Sequence, residues 1–374
     1  MIITRRSFCG FIAAAGVMSR LRPAAAEQPV TVIDMVGRRV HLPALPERIV
    51  LLEGHDILTM SLLHPDPSSL VVGWAAADRI DSEHLRGRLL NGRSVEIVGK
   101  LGPDTLSLEG LVALAPDLVV TTSFMTPNGD ADPLVERLTR FGIPVVFSDA
   151  SSNAGAGGRA DYPVAEIEAY MKMWGELLGA TVKADAFVSF FKRELARVDA
   201  CVAGAPGVTT YLEVQSTPDD CCWAAGGRIW GELLSRAGGV SLPGVTAPWY
   251  EKISLEHLLS TPHEVYIASG GGWSSGSRPA IGPGIDARLG REGLQRLIDC
   301  RPGFGHLASV REKRVHGIWT GLITSLPLNL LFVTQAAKWL HPERCAGLDP
   351  QHVLDAINRD FAAFPIEGPL WVSL

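Results

Sequence analysis

The chain runs to 374 residues with a formal charge of -6, and 47% of it is hydrophobic against 20% charged. That composition belongs to a globular protein long enough for two domains, and its acidic balance excludes a general nucleic-acid binder. Beyond the leader no stretch reads as a membrane span. The most apolar one, Gly317 to Leu340, is interrupted by Thr320, Thr324, Ser325, Pro327, Asn329, Gln335 and Lys338 and reads as a buried strand, loop and helix.

At the start, Thr4-Arg5-Arg6-Ser7-Phe8 sets a twin arginine before a short apolar run, Phe8 to Met18, and Ala24-Ala25-Ala26 supplies small residues for cleavage. Residues 1–26 read as a twin-arginine export signal removed after Ala26, which places the mature protein in the periplasm. The run is too short for a stable anchor, and Cys9 lies before it, the wrong side for a lipid-modified cysteine. Removal takes away Arg5, Arg6, Arg20 and Arg22 and no acid, so the mature charge is -6 minus 4, or -10. Cys201, Cys221, Cys222, Cys300 and Cys345 remain, an odd set in an oxidising compartment, so at least one thiol is free or pairs between chains. For Cys221-Cys222 a vicinal disulfide, bridges to different partners and two plain thiols all stay open.

Thr31 to Asp34 and Arg38 to Leu42 read as a small hairpin turned at Met35-Val36-Gly37. Strands follow at Ile49 to Leu52, Leu70 to Gly73, Leu118 to Thr121 and Ile143 to Phe147, with helices at Asp56 to Leu63, Ser107 to Leu114 and Pro133 to Phe141. Alternation of strand and helix implies a parallel sheet, since parallel neighbours need crossovers. Ser151 to Arg159 is a loop by composition, and Val164 to Leu178 is an amphipathic helix. Next comes VKADAFVSFFKRELARVDACV, in which Val182, Ala186, Phe187, Phe190, Phe191, Leu195, Val198 and Val202 recur at helical spacing until Gly204-Ala205-Pro206-Gly207. That rod, about 30 Å long, separates two similar halves. Past it the pattern restarts: strands at Val208 to Val214, Val265 to Ala268 and Arg314 to Ile318, and helices at Ile229 to Ala237, Ser254 to Ser260, Leu328 to Leu340 and Pro350 to Phe361, with a Gly/Ser-rich loop from Gly270 to Gly284.

The halves repeat each other at one place. Ser107-Leu108-Glu109-Gly110-Leu111 leads to Pro116 and a strand, and Ser254-Leu255-Glu256-His257-Leu258 leads to Pro262 and a strand. Each half thus carries a glutamate in the first turn of a serine-capped helix, a position that complementing the helix dipole would by itself explain.

The stretches VTVIDMVGRRVHLPALPERIVLL, LSLEGLVALAPDLVV, GIPVVFSDA, WGELLSRAGGV and KWLHPERCAGLDP together resemble the periplasmic substrate-binding proteins of the iron-siderophore and vitamin B12 family, soluble components of ABC importers. The resemblance implies two Rossmann-like α/β lobes joined by one long backbone helix, with the ligand cleft between them, and divides the mature chain into 27–160, 161–203 and 204–374. It implies a monomeric protein that is not an enzyme and holds no cofactor or metal of its own. Its partners would be a small-molecule chelate and an inner-membrane permease, with Glu109 and Glu256 in the positions of the family's docking glutamates. An iron(III)-siderophore is the first expectation for the ligand, with cobalamin or another corrinoid, or haem, as alternatives.

The loops that follow the strands offer Glu53, His55, Trp74, Phe124, Met125, Trp223, Arg228, Trp249, Tyr250, Trp273, Arg278 and Trp319 to the cleft. Aromatic rings supply wide contact area and arginines a fork for anionic groups, although tryptophans of this kind serve equally well in a core. No basic triad with a recognisable spacing appears, and the scattered histidines argue against a binder of bare zinc or manganese. A rival reading is a serine hydrolase: Gly272-Trp273-Ser274-Ser275-Gly276 has the form G-x-S-x-G, followed by Asp286 and then His306 or His316. Arg278-Pro279 and Gly282-Pro283-Gly284 speak against the helix that such an elbow requires.

Overall fold

The computed structural model describes residues 29–148, 162–272 and 278–374. The expected export signal, the loop Ser151 to Arg159, Trp273 and Ser274 lie outside them.

The opening hairpin pairs β1 (Val30–Ile33) with antiparallel β2 (Arg39–Leu42). A first parallel sheet holds β3 (Ile49–Leu51), β4 (Val71–Ala75), β5 (Glu96–Gly99), β6 (Leu118–Thr121) and β7 (Val145–Phe147) in the order β5-β4-β3-β6-β7. Its crossovers are α1 (Asp56–Leu63), α2 (Glu83–Leu90), α3 (Leu108–Ala113) and α4 (Pro133–Arg140). The apolar run of β3 and the LVVT of β6 are buried along their length, as central parallel strands covered on both faces must be, and the apolar edge strand β7 is buried as well. Because β3 has its successor on one side and β6 on the other, strand order reverses there, and a crevice opens beyond the carboxyl ends of these two strands.

The second sheet contains β8 (Val208–Gln215), β9 (Trp223–Ala225), β10 (Gly239–Ser241), β11 (Tyr250–Lys252), β12 (Val265–Gly270), β13 (Val315–Trp319) and β14 (Trp371–Ser373). Its path is β11-β9-β8-β12-β13-β14, with β10 beside β8; β8, β10, β12 and β13 are parallel, while β9, β11 and β14 run against their neighbours. Around it lie α7 (Trp230–Arg236), α8 (Leu255–Ser260), α9 (Ala287–Cys300), α10 (Ala308–Arg311), α11 (Gly321–Thr324), α12 (Asn329–Leu340) and α13 (Pro350–Asp360). Sequence reading missed α2, α9 and the short antiparallel strands. In α9 a usable signal exists, with Asp286 capping the Arg288 amide and Gly290, Leu294, Leu297 and Ile298 forming the buried stripe.

Between the sheets, α5 (Val164–Leu177) packs on α1, β1 and α6 (Thr181–Val202), and α6 packs in turn on α12. The long helix α6 thus lies against a second helix, α5, as expected of the linking helices in 161–203. A single-faced amphipathic helix of 22 residues needs a partner along its length, and α5 provides it. Its buried line is Ala184, Phe187, Phe190, Phe191, Leu195 and Val198. Val182 and Ala186, assigned to that face from spacing, are exposed, because at about 100° per residue each lies nearly opposite Ala184. Phe187 meets Phe361 edge-on at 5.0 Å, and one continuous apolar cluster runs from Val32 through the helical pair to Val372. The Cys201–Cys345 disulfide, with Cα atoms 5.3 Å apart, ties the end of α6 to the segment after α12. Cys221 and Cys222 form a vicinal disulfide and Cys300 is an exposed free thiol.

Two of the stretches that carry the family resemblance hold each other. The Asp117 carboxylate accepts from the backbone amides of Glu47 and Arg48, at 2.8 and 3.0 Å, and the Arg48 guanidinium returns to the carbonyls of Ala115 and Leu114. No described helix is long and apolar enough to cross a membrane.

Candidate functional site: the cavity between the lobes

A cavity of about 310 Å³ opens between the two sheets, walled by residues that follow β3, β4, β6 and β7 on one side, β9 and β13 on the other, and α5 at its side. Its size lies at the lower end of the range for small-molecule sites, about 300–1,000 Å³.

On the first wall Glu53 and His55 flank Gly54, where any Cβ would collide with the Ala76 carbonyl oxygen, so only glycine lets this turn press against the end of β4. One Glu53 oxygen meets the His55 ring at Nδ1 (3.2 Å), the His55 amide (3.1 Å) and Arg79 Nε (3.2 Å). Burial pushes the Glu53 carboxyl up, but the His55 hydrogen bonds and the charge of Arg79 outweigh it and hold the group at about 2, so it is ionised under all physiological conditions. His55 Nε2 reaches across the cleft to Thr324 Oγ1 at 3.1 Å. Deeper in, the buried Asp56 carboxylate accepts from Ser148 Oγ (2.7 Å) and from the Tyr170 hydroxyl of α5 (2.8 Å). Burial and then the Asp56 charge push the Tyr170 phenol well above its ordinary value.

The opposite wall comes from the turn into α7 and from the segment after β13. Ile229 has φ +42°, a costly backbone for a β-branched residue, and its amide donates to Glu232 Oε2 at 2.9 Å. Arg228 lies 4.0 Å from Glu232 and places its guanidinium 5.7 Å from the centre of the Trp249 ring. Asn329 donates to the carbonyls of Leu322 and Ile323 and accepts from the Tyr162 hydroxyl, which fixes the turn bearing Thr324 and Ser325. Ser325 borders the cavity, and its buried Oγ has no hydrogen-bond partner within the protein.

Glu53, His55, Phe124 and Arg228, all expected from the loop pattern, meet at this cavity. Trp223 and Tyr250 stand on the antiparallel pair β9 and β11 with ring centres 5.7 Å apart, and with Trp249 they form a ledge beyond Arg228 rather than lining the cavity. Met125 belongs to the core of the first lobe. Trp74 is buried too, at the floor of a separate cavity of about 480 Å³ beside β5 and α2. Both residues lie on the inward-facing side of the chain, a direction that a loop-after-strand rule does not give. Trp319, also buried, donates its indole N–H to Asp81 Oδ1 at 2.7 Å. Arg278 is half-buried, lowered by burial against the opposing influence of the Asp81 and Glu213 carboxylates.

Asp81 makes a second inter-lobe contact. Besides Trp319 it accepts from the Gly272 amide at 3.1 Å, while Ser82 Oγ donates to the Pro283 carbonyl at 2.6 Å. A Cβ at Gly272 would stand 2.9 Å from the Asp81 carbonyl oxygen, so a glycine is needed for this approach. Of the site residues that sequence reasoning missed, Asp56, Glu166, Tyr170 and Glu232 sit in first helical turns or on α5, and Arg79 ends a short helical turn after β4. Asp56 had a signal, since it directly follows the singled-out His55. Among the described residues no group of three or more metal-ligating side chains converges. Asp286 caps α9, and His316 bonds Ser373 Oγ at 2.8 Å while stacking 4.3 Å from Trp339, so these two residues of the hydrolase reading have structural employment.

Two wound α/β lobes bridged by helices, with a largely apolar cavity carrying a few ionic groups at the carboxyl ends of their strands, have the architecture of a solute-binding protein. The chain belongs to the periplasmic binding protein family, whose model matches residues 63–318. Among solved structures, the TroA-like periplasmic binding protein FepB of Veillonella parvula is similar with a TM-score of 0.80 at 21% identity, over 92% of this chain and 99% of that one. The molybdate-binding MolA of Haemophilus influenzae gives 0.69 at 16% identity, over 90% and 99%. A protein of an Fe3+-hydroxamate transport system from Saccharomonospora viridis gives 0.59 at 19%, over 84% and 99%. No curated protein matches the chain by sequence.

Proposed function

We propose that this protein captures an iron(III)-siderophore in the periplasm and delivers it to the permease of an ABC importer. The observation that carries the reading is the inter-lobe cavity, lined from both sheets and bordered by Ser325 and by the strained Ile229 turn. Its working units are 27–160, 161–203 and 204–374, and it acts as a monomer. Similarity to a protein of an ABC-type Fe3+-hydroxamate transport system supports iron over a corrinoid; haem stays in view because a haem-binding protein of Pseudomonas aeruginosa shares the fold, with a TM-score of 0.56. Titrating the purified protein with ferric chelates, cobalamin and haem, read by tryptophan fluorescence, tests this. We expect saturable quenching by a ferric chelate, and Arg228→Ala should weaken it about tenfold or more, as loss of a central arginine anchor does. Binding of haem or cobalamin alone would transfer the reading to that ligand.

Delivery to the periplasm rests on the leader. Arg5→Lys together with Arg6→Lys should leave full-length precursor in the cytoplasm, visible by fractionation and blotting. Normal processing of the double variant would remove the twin-arginine route.

A further inference from the structure

Links between the lobes differ in where they stand. His55 Nε2 meets Thr324 Oγ1 at 3.1 Å, but both residues line the cavity, so an entering ligand can displace that contact. Asp81, Ser82, Gly272, Pro283 and Trp319 also join the lobes, yet none of them lines the cavity. Both Asp81 oxygens face the second lobe, Oδ1 accepting from the Trp319 indole at 2.7 Å and Oδ2 from the Gly272 amide at 3.1 Å. Beside it, the Ser82 hydroxyl accepts from the Leu85 amide at 3.0 Å and donates to the Pro283 carbonyl at 2.6 Å, so the cap of α2 also grips the opposite lobe. The indole is held in one orientation. A Cβ at Gly321 would collide with its six-membered ring, and one at Gly282 would stand 3.0 Å from its Cδ1, so the ring lies close against both glycines. Asp81 is 4% exposed and Trp319 0%, and hydrogen bonds to a carboxylate kept from water are strong ones.

We propose that Asp81 is a positioning residue: by taking two donors from the second lobe it holds the empty protein at the lobe spacing that forms the cavity. For its effect on ligand this rests on the binding function proposed above; for the spacing of the empty chain it does not. Ligand then enters a site already assembled, and its apparent affinity is not divided by a small binding-competent fraction. Asp81→Asn keeps the shape but offers one acceptor oxygen to two donors, and it turns its own amide hydrogens on the other. The clasp should then open.

The test begins without ligand, on the full mature chain. Small-angle scattering should give empty Asp81→Asn a larger radius of gyration than the parent. The Trp319 indole N–H, recognised as the resonance missing from Trp319→Phe, should exchange with solvent at least about tenfold faster in Asp81→Asn. Urea unfolding reports the change in stability separately. Parental radius and parental indole exchange in Asp81→Asn, whatever its urea midpoint, would overturn the proposal and leave Asp81 as a packing group. If Asp81→Asn does not fold, Trp319→Phe, which removes the donor and keeps a ring, decides by scattering: a larger radius supports the clasp and a parental one overturns it. Ferrioxamine B, a trihydroxamate iron(III) chelate, is the probe for binding, and Asp81→Asn should hold it about tenfold more weakly. Unchanged affinity in a widened variant would overturn the positioning role. Failure of the parent to bind ferrioxamine B would count against the siderophore reading alone, because the spacing of the empty chain is measured without it.

Discussion

Replacing both Glu109 and Glu256 by arginine should abolish ligand uptake in cells, while the purified variant still folds and binds its ligand. Both residues are exposed, each in the first turn of a six-residue helix, α3 and α8, and each helix has a serine cap whose hydroxyl accepts from the third helical amide: Ser107 from Gly110 and Ser254 from His257. The caps hold the two carboxylates in equivalent settings, one in each lobe. Serving the helix dipole alone would make each glutamate worth about 0.3–1 kcal/mol, and Glu→Ala would then reduce stability by that much and touch nothing else. Serving instead as paired contacts for permease arginines, they form both contacts together only at one spacing of the lobes, and Glu→Arg sets like charges face to face. A like-charge contact of about 3 kcal/mol lowers the productive complex by more than a hundredfold. Uptake of radiolabelled iron chelate through the cognate permease, alongside ligand affinity and denaturant midpoint of the purified variants, separates the two roles. Wild-type uptake by the double arginine variant would leave these residues as helix-terminal charges only.

Arg301→Met should destabilise the protein by about 3–5 kcal/mol, the largest stability effect expected of any single substitution discussed. The Glu213 and Arg301 side chains are 0% and 2% exposed and form a two-pronged pair at 3.0 Å on each prong. Glu213 also accepts from the Tyr266 hydroxyl at 2.6 Å, and Arg301 donates to the Thr217 carbonyl at 2.7 Å. Burial, followed by the Glu213 charge, pushes the Tyr266 phenol well above its ordinary value, so it stays a donor. Removing the guanidinium leaves a buried carboxylate with one hydroxyl for company, and it frees the Thr217 carbonyl just before the vicinal disulfide and Trp223. Removing both charges, as in Glu213→Leu with Arg301→Met, should recover most of the loss, because an apolar pair of similar volume avoids desolvation altogether. Urea unfolding of the single and double variants provides the comparison. A single variant within about 1 kcal/mol of the parent would mean that water reaches Glu213.

Local chemistry determined much of this protein without any knowledge of tertiary contacts. Apolar runs alternating with 3.6-residue periodicity imposed parallel sheets. Ser107 and Ser254 started α3 and α8 because a hydroxyl satisfies an orphan amide wherever the chain puts it. Glu53, His55, Phe124 and Arg228 were legible because strand ends in open parallel sheets face the crevice. Direction and partnership were not legible. Trp74 and Trp319 carry the same side chain as Trp249, yet two are core and one is a ledge, a distinction set by which side of the strand end each leaves. Val182 has the spacing of a core position, but the face of α6 that becomes interior was chosen by where α5 lies. Tyr170 and Asp56 are 114 positions apart, and no local pattern ties them into one hydrogen bond. The carboxylates of the cleft are of the same kind: Glu53 and Asp56 lie at the end of β3 and the start of α1, Glu166 on α5 and Glu232 on α7, and only the tertiary meeting of these elements brings them to one cavity.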